Sequence, residues 1–442
     1  MRILLIGANS VRMDDGRRWR ETSSRAAYAP TTLTTLAALI PPEFDAEVFL
    51  IDEAVDEPPE DFYRADLVGI SAMTPDAHRA YELSRQARAL GAKVVLGGYH
   101  PTFMTEEALR HCDAVVRGFA ETAWPQLLRD YARGQLRRIY ESPWEEAFTA
   151  GNWIPRRDLL RPCAYVASNT LETSRGCRNQ CSFCIVPPMH RGSFVQREIG
   201  RIRREIESMP AGPIGILDAN PLEDAAFAEQ LMPVMSGRNW YTAVSSKVIS
   251  DPGWARRASA AGCRGVVAGF ETLDQNALGL AGKSFNRANS YDEICRRLHG
   301  EGIAILGCFV LGLDGEGPDA ADRVIEFVNK SCIDVALYSA YTPFPGTADW
   351  RRLQSERRIL STDWRLYDGR HVVFQPDRMS PEDLQHQLHR AWRETYSLPS
   401  IFRRVLGSMT MPVAGMAVNL GFRFYRRTFT TARAAVLAGE RL

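Results

Sequence analysis

The chain has 442 residues, enough for two or three domains that each bury their own core. Hydrophobic residues make up 45% and charged residues 24%, and the formal net charge is +1, so no global field draws it to nucleic acid or to an anionic surface. Nine cysteines, of which only three cluster, exclude a disulfide framework and predict a reducing cytosol as the working compartment.

The first residues, MRILLIGANS, run directly into an apolar strand-like stretch, without the h-region and small-residue cleavage site of a secretory leader. No apolar run reaches the ~18 residues of a membrane-spanning helix. Residues 1–140 alternate strand and helix signals. The predicted strands are 2–8, 47–52, 67–72, 93–98 and 114–118, with a helix from Asp76 to Leu90 among the connections. Continuous Val/Ile/Leu runs suit parallel strands covered on both faces, so this half is expected to be a Rossmann- or flavodoxin-like α/β domain. Residues 141–164, rich in Trp, Pro and charge, are the expected linker.

A second strand–helix series follows over 165–355. Strands are expected near YVASNTLET, PIGILDA, TAVSSK, GVVAGFE, IAILGCFVLG and DVALYSAY, with helices over 197–208, 225–236, 252–261, 290–300 and 320–330. Six βα units in series predict a partial (β/α)6 barrel of the TIM type, whose ligands sit at the carboxyl ends of the strands. The polar residues ending these strands (Asp218, Ser245, Ser246, Lys247, Glu271 and Asp314) are therefore expected to share one face. Residues 356–442 read as a helical, basic C-terminal cap.

The most informative stretch is RGCRNQCSFCIVP, residues 175–187, which places Cys177, Cys181 and Cys184 in eight positions. Thiolates favour zinc, copper(I) and iron–sulfur clusters. Structural zinc closes its shell with four ligands, usually as two pairs, whereas this spacing is C-x3-C-x2-C; Cys163 and His190 are the nearest candidates for a fourth. Three ligands on a strand-end loop leave one metal position open to a substrate.

This motif, with Phe183 before the last cysteine, resembles the radical S-adenosylmethionine (SAM) signature. The resemblance implies that the three cysteines hold a [4Fe–4S] cluster whose fourth iron is chelated by SAM, and that one-electron reduction cleaves SAM to a 5′-deoxyadenosyl radical. It also implies a flavodoxin- or ferredoxin-type reductant. By the same resemblance Asp218 and Asn220 end the strand that meets the SAM amino group. Ser245, Ser246 and Lys247 stand where ribose and carboxylate contacts are expected. Glu271, ending GVVAGFE, is placed near the ribose or the substrate, and Leu311, within GCFVLGLDGE, lies in the strand flanking adenine.

A second resemblance rests on residues 95–121, VLGGYHPTFMTEEALRHCDAVVRGFAE. Gly97 and Gly98 after an apolar strand admit close approach of a ligand to the backbone. Together with Ser71 and Thr74, with His100, and with Gly118-x-x-Glu121, the pattern is similar to a cobalamin-binding domain, as found in the cobalamin-dependent branch of radical SAM enzymes. Ligands of open α/β sheets bind outside the strands' carboxyl ends, in agreement. One departure stands out: corrinoid carriers with a histidine ligand use D-x-H-x-x-G, and the loop here reads GANSVRMDDG. No protein histidine is expected below the cobalt, and His100 is assigned to the pocket, not to catalysis.

The tail from 341 to 398 resembles the subgroup that includes hopanoid and bacteriochlorophyll tailoring enzymes. Tyr341 and Tyr367 are read either as pocket walls or as core. Residues 401–431 combine apolar residues with Arg403, Arg404, Arg423, Arg426 and Arg427. Such a segment either lies on the inner face of a membrane or packs as a last helix with snorkelling arginines.

The function that the resemblances imply is a C-methyltransferase acting on an unactivated carbon of a small molecule, lipid or natural product, with methylcobalamin as methyl donor. The alternative is a rearrangement, ring contraction or oxidative cyclisation with the same cofactors. A tRNA methylthiotransferase would need three N-terminal cysteines, and only Cys112 and Cys163 precede the motif. A non-catalytic cobalamin or metal sensor is a further alternative, against which the density of strand-end polar residues weighs. No nucleic-acid partner is expected, and no catalytic acid or base stands out.

Overall fold

The computed structural model describes residues 1–9, 26–56, 64–143, 148–149 and 152–426. Most of the loop GANSVRMDDG, on which the missing cobalt ligand was read, lies outside the described residues, as does Arg427.

Seven strands fall in the first part: β1 Arg2–Gly7, β2 Ala26–Tyr28, β3 Glu47–Asp52, β4 Leu67–Ser71, β5 Lys93–Gly97, β6 Ala114–Arg117 and β7 Ile139–Glu141. All but β2 form a parallel sheet in the order β3-β1-β4-β5-β6-β7. Ile3, Leu4, Leu5 and Ile6 are all buried, because helices cover both faces of β1. Each expected strand is present to within a residue, and the sheet gains β7, which was not among the expected strands and whose last residue, Glu141, falls in the expected linker.

Nine strands follow: β8 Tyr165–Ala167, β9 Asn169–Leu171, β10 Ser174–Gly176, β11 Phe194–Gln196, β12 Ile214–Ile216, β13 Trp240–Val244, β14 Cys263–Glu271, β15 Ala304–Leu311 and β16 Val335–Ala340. Six of them make the second parallel sheet, in the order β9-β12-β13-β14-β15-β16. The single strand expected over YVASNTLET is divided. Its first half, β8, pairs with β2 and ties the two domains together, and only β9 enters the barrel. The cysteine loop is the connection of an antiparallel hairpin, β10 with β11.

Side chains along β13, β15 and β16 alternate between buried and half-buried. On β15 the buried set includes Phe309, which packs with Phe327 of the helix Ala320–Lys330, so the half-buried set, Cys308 and Val310 included, faces the concave side. The partial barrel therefore keeps an incompletely filled concave face.

The C-terminal part is helical over Pro381–Thr395, Leu398–Ser408 and Pro412–Tyr425. Residues 356–380 are mostly irregular, and here the structure departs from a simple cap. Trp364, Tyr367 and Val373 complete the hydrophobic core of the N-terminal sheet together with Leu4, Ile70, Tyr81 and Leu96. Trp364 also donates its indole N–H to Glu107 at 2.9 Å. Tyr341 and Tyr367 are both core residues. Among the described residues no helix is long and apolar enough to cross a membrane.

Candidate active site

The carboxyl ends of the two sheets meet around a cavity of about 440 Å³. One wall is built from Ser71, Gly97, Gly98, Gly118, Glu121 and Trp124 of the N-terminal domain. The other comes from Glu172, Ser174, Arg175 and Gly176 at the mouth of the cysteine hairpin, with His190 and Asp218. Gly98 has φ +97°, and a Cβ there would stand 2.7 Å from the Ala72 carbonyl, so the turn after β5 requires glycine. Of the seven residues expected around a corrinoid, Thr74 and His100 are absent from the wall. His100 turns beneath it: its Nε2 lies 3.0 Å from the Tyr81 hydroxyl, which donates to Glu107.

Arg175 joins the halves. It pairs with Glu121 across the domains at 2.5 Å and with Glu172 at 2.7 Å, and it lies over the rings of Phe119 and Phe148. Burial opposes its charge, but the two carboxylates outweigh that and raise its pKa further. Tyr99 also reaches across. Burial, and then the neighbouring Cys184 and Glu172, push its hydroxyl up to about 12. His190 packs against Phe119, and burial, with Arg175 nearby, lowers its pKa to about 4.

Asp218 is almost fully buried and stands at the carboxyl end of β12 as expected. Its carboxylate accepts from the backbone and hydroxyl groups of both Thr173 and Ser174, at 2.5–3.0 Å. It fastens the strand that enters the cysteine loop, whereas the sequence pointed it at the SAM amino group. Burial, followed by Glu172, raises its pKa to about 7.

Cys177, Cys181 and Cys184 are free thiols on one loop. Burial raises all three, and Lys283 pulls them back. Phe183 packs against the barrel core. The loop is pinned from the barrel side, since Ser182 donates to the Ala281 carbonyl at 3.0 Å and its hydroxyl to Asp349 at 2.8 Å.

Next to the loop, Lys283 forms an ion pair with Glu271. Glu271 has φ +63°, and the β14–β15 register shifts between Gly269 and Glu271, so a bulge aims this carboxylate at the thiols' side. A Cβ on Gly269 would lie 2.4 Å from the Glu271 carboxylate and 2.9 Å from Lys283 Nζ. Asn220 exchanges hydrogen bonds with Ser245, at 3.1 and 3.3 Å, and donates to Glu223 at 2.8 Å. Lys247 reaches the same Glu223 at 3.5 Å, and Ser246 bonds Asn286, which donates to the Gly269 carbonyl at 2.9 Å. Asn220, residues 245–247 and the end of β14 are thus bound into one polar rim beside the cysteines. Leu311 is buried at the end of β15, and Asp314 is drawn away into ion pairs with Arg352 at 2.8 Å and Arg358 at 2.7 Å.

These residues fit the groups that the sequence implies. Three thiols in mutual electrostatic range on one loop suit an iron–sulfur cluster, whose ligands stand on separate irons. On the opposite wall Glu121 Oε2 and Trp124 Nε1 are buried without a hydrogen-bond partner, as expected where a polar ligand completes a site.

Tyr99, Glu172, Arg175, Lys283 and Asn286 were not among the expected site residues, and His190, named only as a candidate fourth metal ligand, lines the cavity against Phe119. Arg175 and Lys283 carried a signal, a charge beside a motif or after a Gly; the others meet the site only through the fold.

Comparisons with known proteins agree. Residues 43–128 match the B12 binding domain, and residues 171–328 match the radical SAM superfamily. The chain is 29% identical over 403 residues to bacteriochlorophyllide d C-12(1)-methyltransferase of Chlorobaculum tepidum, covering 87% of this chain and 86% of that one. It is 25% identical over 359 residues to hopanoid C-2 methylase of Rhodopseudomonas palustris, covering 76% and 66%. In fold it is similar to the cobalamin-dependent SAM radical enzyme OxsB, with a TM-score of 0.67, 13% identity and coverage of 99% and 81%. It is also similar to the radical SAM methyltransferase TsrM of Kitasatospora setae, with a TM-score of 0.61, 18% identity and coverage of 87% and 81%. With the two sheets meeting at one cavity and both domain matches in place, the chain belongs to the radical SAM enzymes that carry a B12-binding domain, and its cofactors are a [4Fe–4S] cluster, SAM and cobalamin.

Proposed function

We propose that this enzyme transfers a methyl group to an unactivated carbon of a small-molecule substrate. The observation that carries the reading is the shared cavity, onto which the Gly97-Gly98 turn and Glu121 open from one side and the mouth of the cysteine hairpin from the other. Methyltransferase names among the relatives, which act on a bacteriochlorophyllide and on a hopanoid, support it.

In this reading Cys177, Cys181 and Cys184 hold the cluster. Asn220, Ser245, Ser246, Lys247 and Glu271 form the SAM rim, with Phe183 and Leu311 as apolar walls. Ser71, Gly97, Gly98, Gly118 and Glu121 receive the corrinoid. When bound, these groups supply a radical source on one wall and a methyl carrier on the other. The chain's own contribution is positional. The Glu121–Arg175 pair holds the two walls in register, Asp218 fixes the entry of the cysteine loop, and the Gly269 bulge orients Glu271 and Lys283. Apolar packing around Phe119 and Phe148 excludes water from the pair. The electron comes from an external flavodoxin- or ferredoxin-type protein.

The test is anaerobic turnover with excess SAM and a chemical reductant, reading both SAM products. S-adenosylhomocysteine formed alongside 5′-deoxyadenosine is expected. Sustained 5′-deoxyadenosine without S-adenosylhomocysteine overturns methyl transfer in favour of a rearrangement. Cys177→Ala is expected to lose the cluster's iron and all 5′-deoxyadenosine while keeping cobalamin absorbance.

A further inference from the structure

The helical hairpin formed by Leu398–Ser408 and Pro412–Tyr425 has no part in the site described above. Each helix buries one face. Ile401, Arg404 and Val405 turn inward from the first, and Met416, Asn419 and Phe422 from the second. Arg404 is fully buried and satisfied, donating to the carbonyls of Ile333, Asp334 and Thr395 and to Asn419 Oδ1 at 2.8–3.1 Å. It does not snorkel; it anchors the hairpin to the barrel.

What the hairpin leaves outward is apolar. Phe402, Leu406 and Met409 follow one another at i, i+4 and i+7, and Val413, Ala417 and Phe424 do so at i, i+4 and i+11, so each set forms one stripe. Leu406 is 62% and Val413 84% exposed. Single exposed apolar residues are ordinary, but two stripes joined through an apolar tip are not.

In sequence the segment is one-signed: residues 395–439 contain six arginines and no acidic residue, in a chain whose net charge is only +1, and among the described residues Arg403, Arg423 and Arg426 stand outside the buried face. A cleft of about 670 Å³ along the first helix is lined by Arg393, Arg403, Arg423 and Arg426, with Glu394 as its only carboxylate among the described residues. Arg393 pairs with Glu394 at 3.7 Å, and Arg423 and Arg426 donate to the carbonyls of Tyr396 and Arg393, contacts that orient the guanidinium groups.

We propose that this hairpin docks the enzyme on anionic phospholipid, with Phe402, Leu406, Met409 and Val413 entering the acyl boundary and the arginine cleft taking lipid phosphates. Apolar stripes flanked by arginine are the composition of helices that lie in a membrane interface. A second copy fits less well, because a two-fold interface on this surface brings like charges together.

The test is co-sedimentation of the full-length, cofactor-loaded protein with two kinds of vesicle, pure phosphatidylcholine and phosphatidylcholine with 30% phosphatidylglycerol. Binding to the anionic vesicles is expected to exceed binding to the neutral ones by about tenfold, and to weaken in 0.5 M salt because exposed charges are screened. Leu406→Asp with Val413→Asp should abolish it, and Arg403→Glu should remove the preference for phosphatidylglycerol. All three substitutions lie at the surface, so cobalamin absorbance and the urea midpoint should stay as in the parent. Equal binding to both vesicles, no binding, or a dimer in light scattering that Leu406→Asp dissociates would each overturn the proposal.

Discussion

A guanidinium held between two carboxylates and two phenyl rings, as Arg175 is, cannot be shortened without leaving buried charge behind. Arg175→Met is expected to cost about 3–5 kcal/mol, read as a lower urea midpoint. Adding Glu121→Gln should recover part of that loss, because it removes one of the stranded charges; a double-mutant cycle measures the coupling. His190 gives a pH signature. Its folded pKa, about 4, lies below the ordinary histidine value of 6.5, so the unfolded chain binds the extra proton first as pH falls. The stabilising contribution of neutral His190 is present above about pH 6.5 and is lost as pH falls from there towards about 4. His190→Asn should flatten the decline of the urea midpoint across that window. An unchanged slope would show that other groups set it.

At the scale of elements, the β14 bulge shows how a strand end comes to present a buried ion pair. The shift between Gly269 and Glu271 brings a carboxylate and Lys283 together, in space that a Cβ at 269 would occupy. Gly269→Ala is therefore expected to slow reductive SAM cleavage by about tenfold or more, which is ~1.4 kcal/mol of barrier. Iron content and cobalamin absorbance should be retained, which separates this effect from loss of the cluster. The segment 356–380 is the counterpart in packing. Replacing Trp364 by Ala removes a ring from the core of the N-terminal sheet and the donor to Glu107. A loss of about 3–5 kcal/mol is expected, together with faster proteolysis between 356 and 380.

For the whole molecule, the domains are joined by structure as well as by sequence. β2 pairs with β8, Arg175 pairs with Glu121, and aromatic residues from beyond the barrel complete the first core. A fragment of residues 1–141 lacks Trp364, Tyr367 and Val373, and should unfold with a broad, shallow urea transition. The full chain should unfold more steeply and at higher urea. A fragment as cooperative as the full chain would refute the shared core.

The sequence by itself determined what depends on local order. Strand runs such as RILLIG and EVFLID, the helix over 320–330, and the spacing of Cys177, Cys181 and Cys184 are properties of neighbouring residues, and the alternation of elements set both parallel sheets. Tertiary structure decided what depends on residues far apart in the chain. Glu121 and Arg175 are 54 positions apart, and Glu107 and Trp364 are 257 apart, so no periodicity could pair them. For the same reason Asp218 ends its strand as expected but faces Thr173 and Ser174, and His100 leaves the expected pocket wall for Tyr81. A buried polar group takes whichever donors the fold brings within reach, and those donors come from segments that local pattern does not connect.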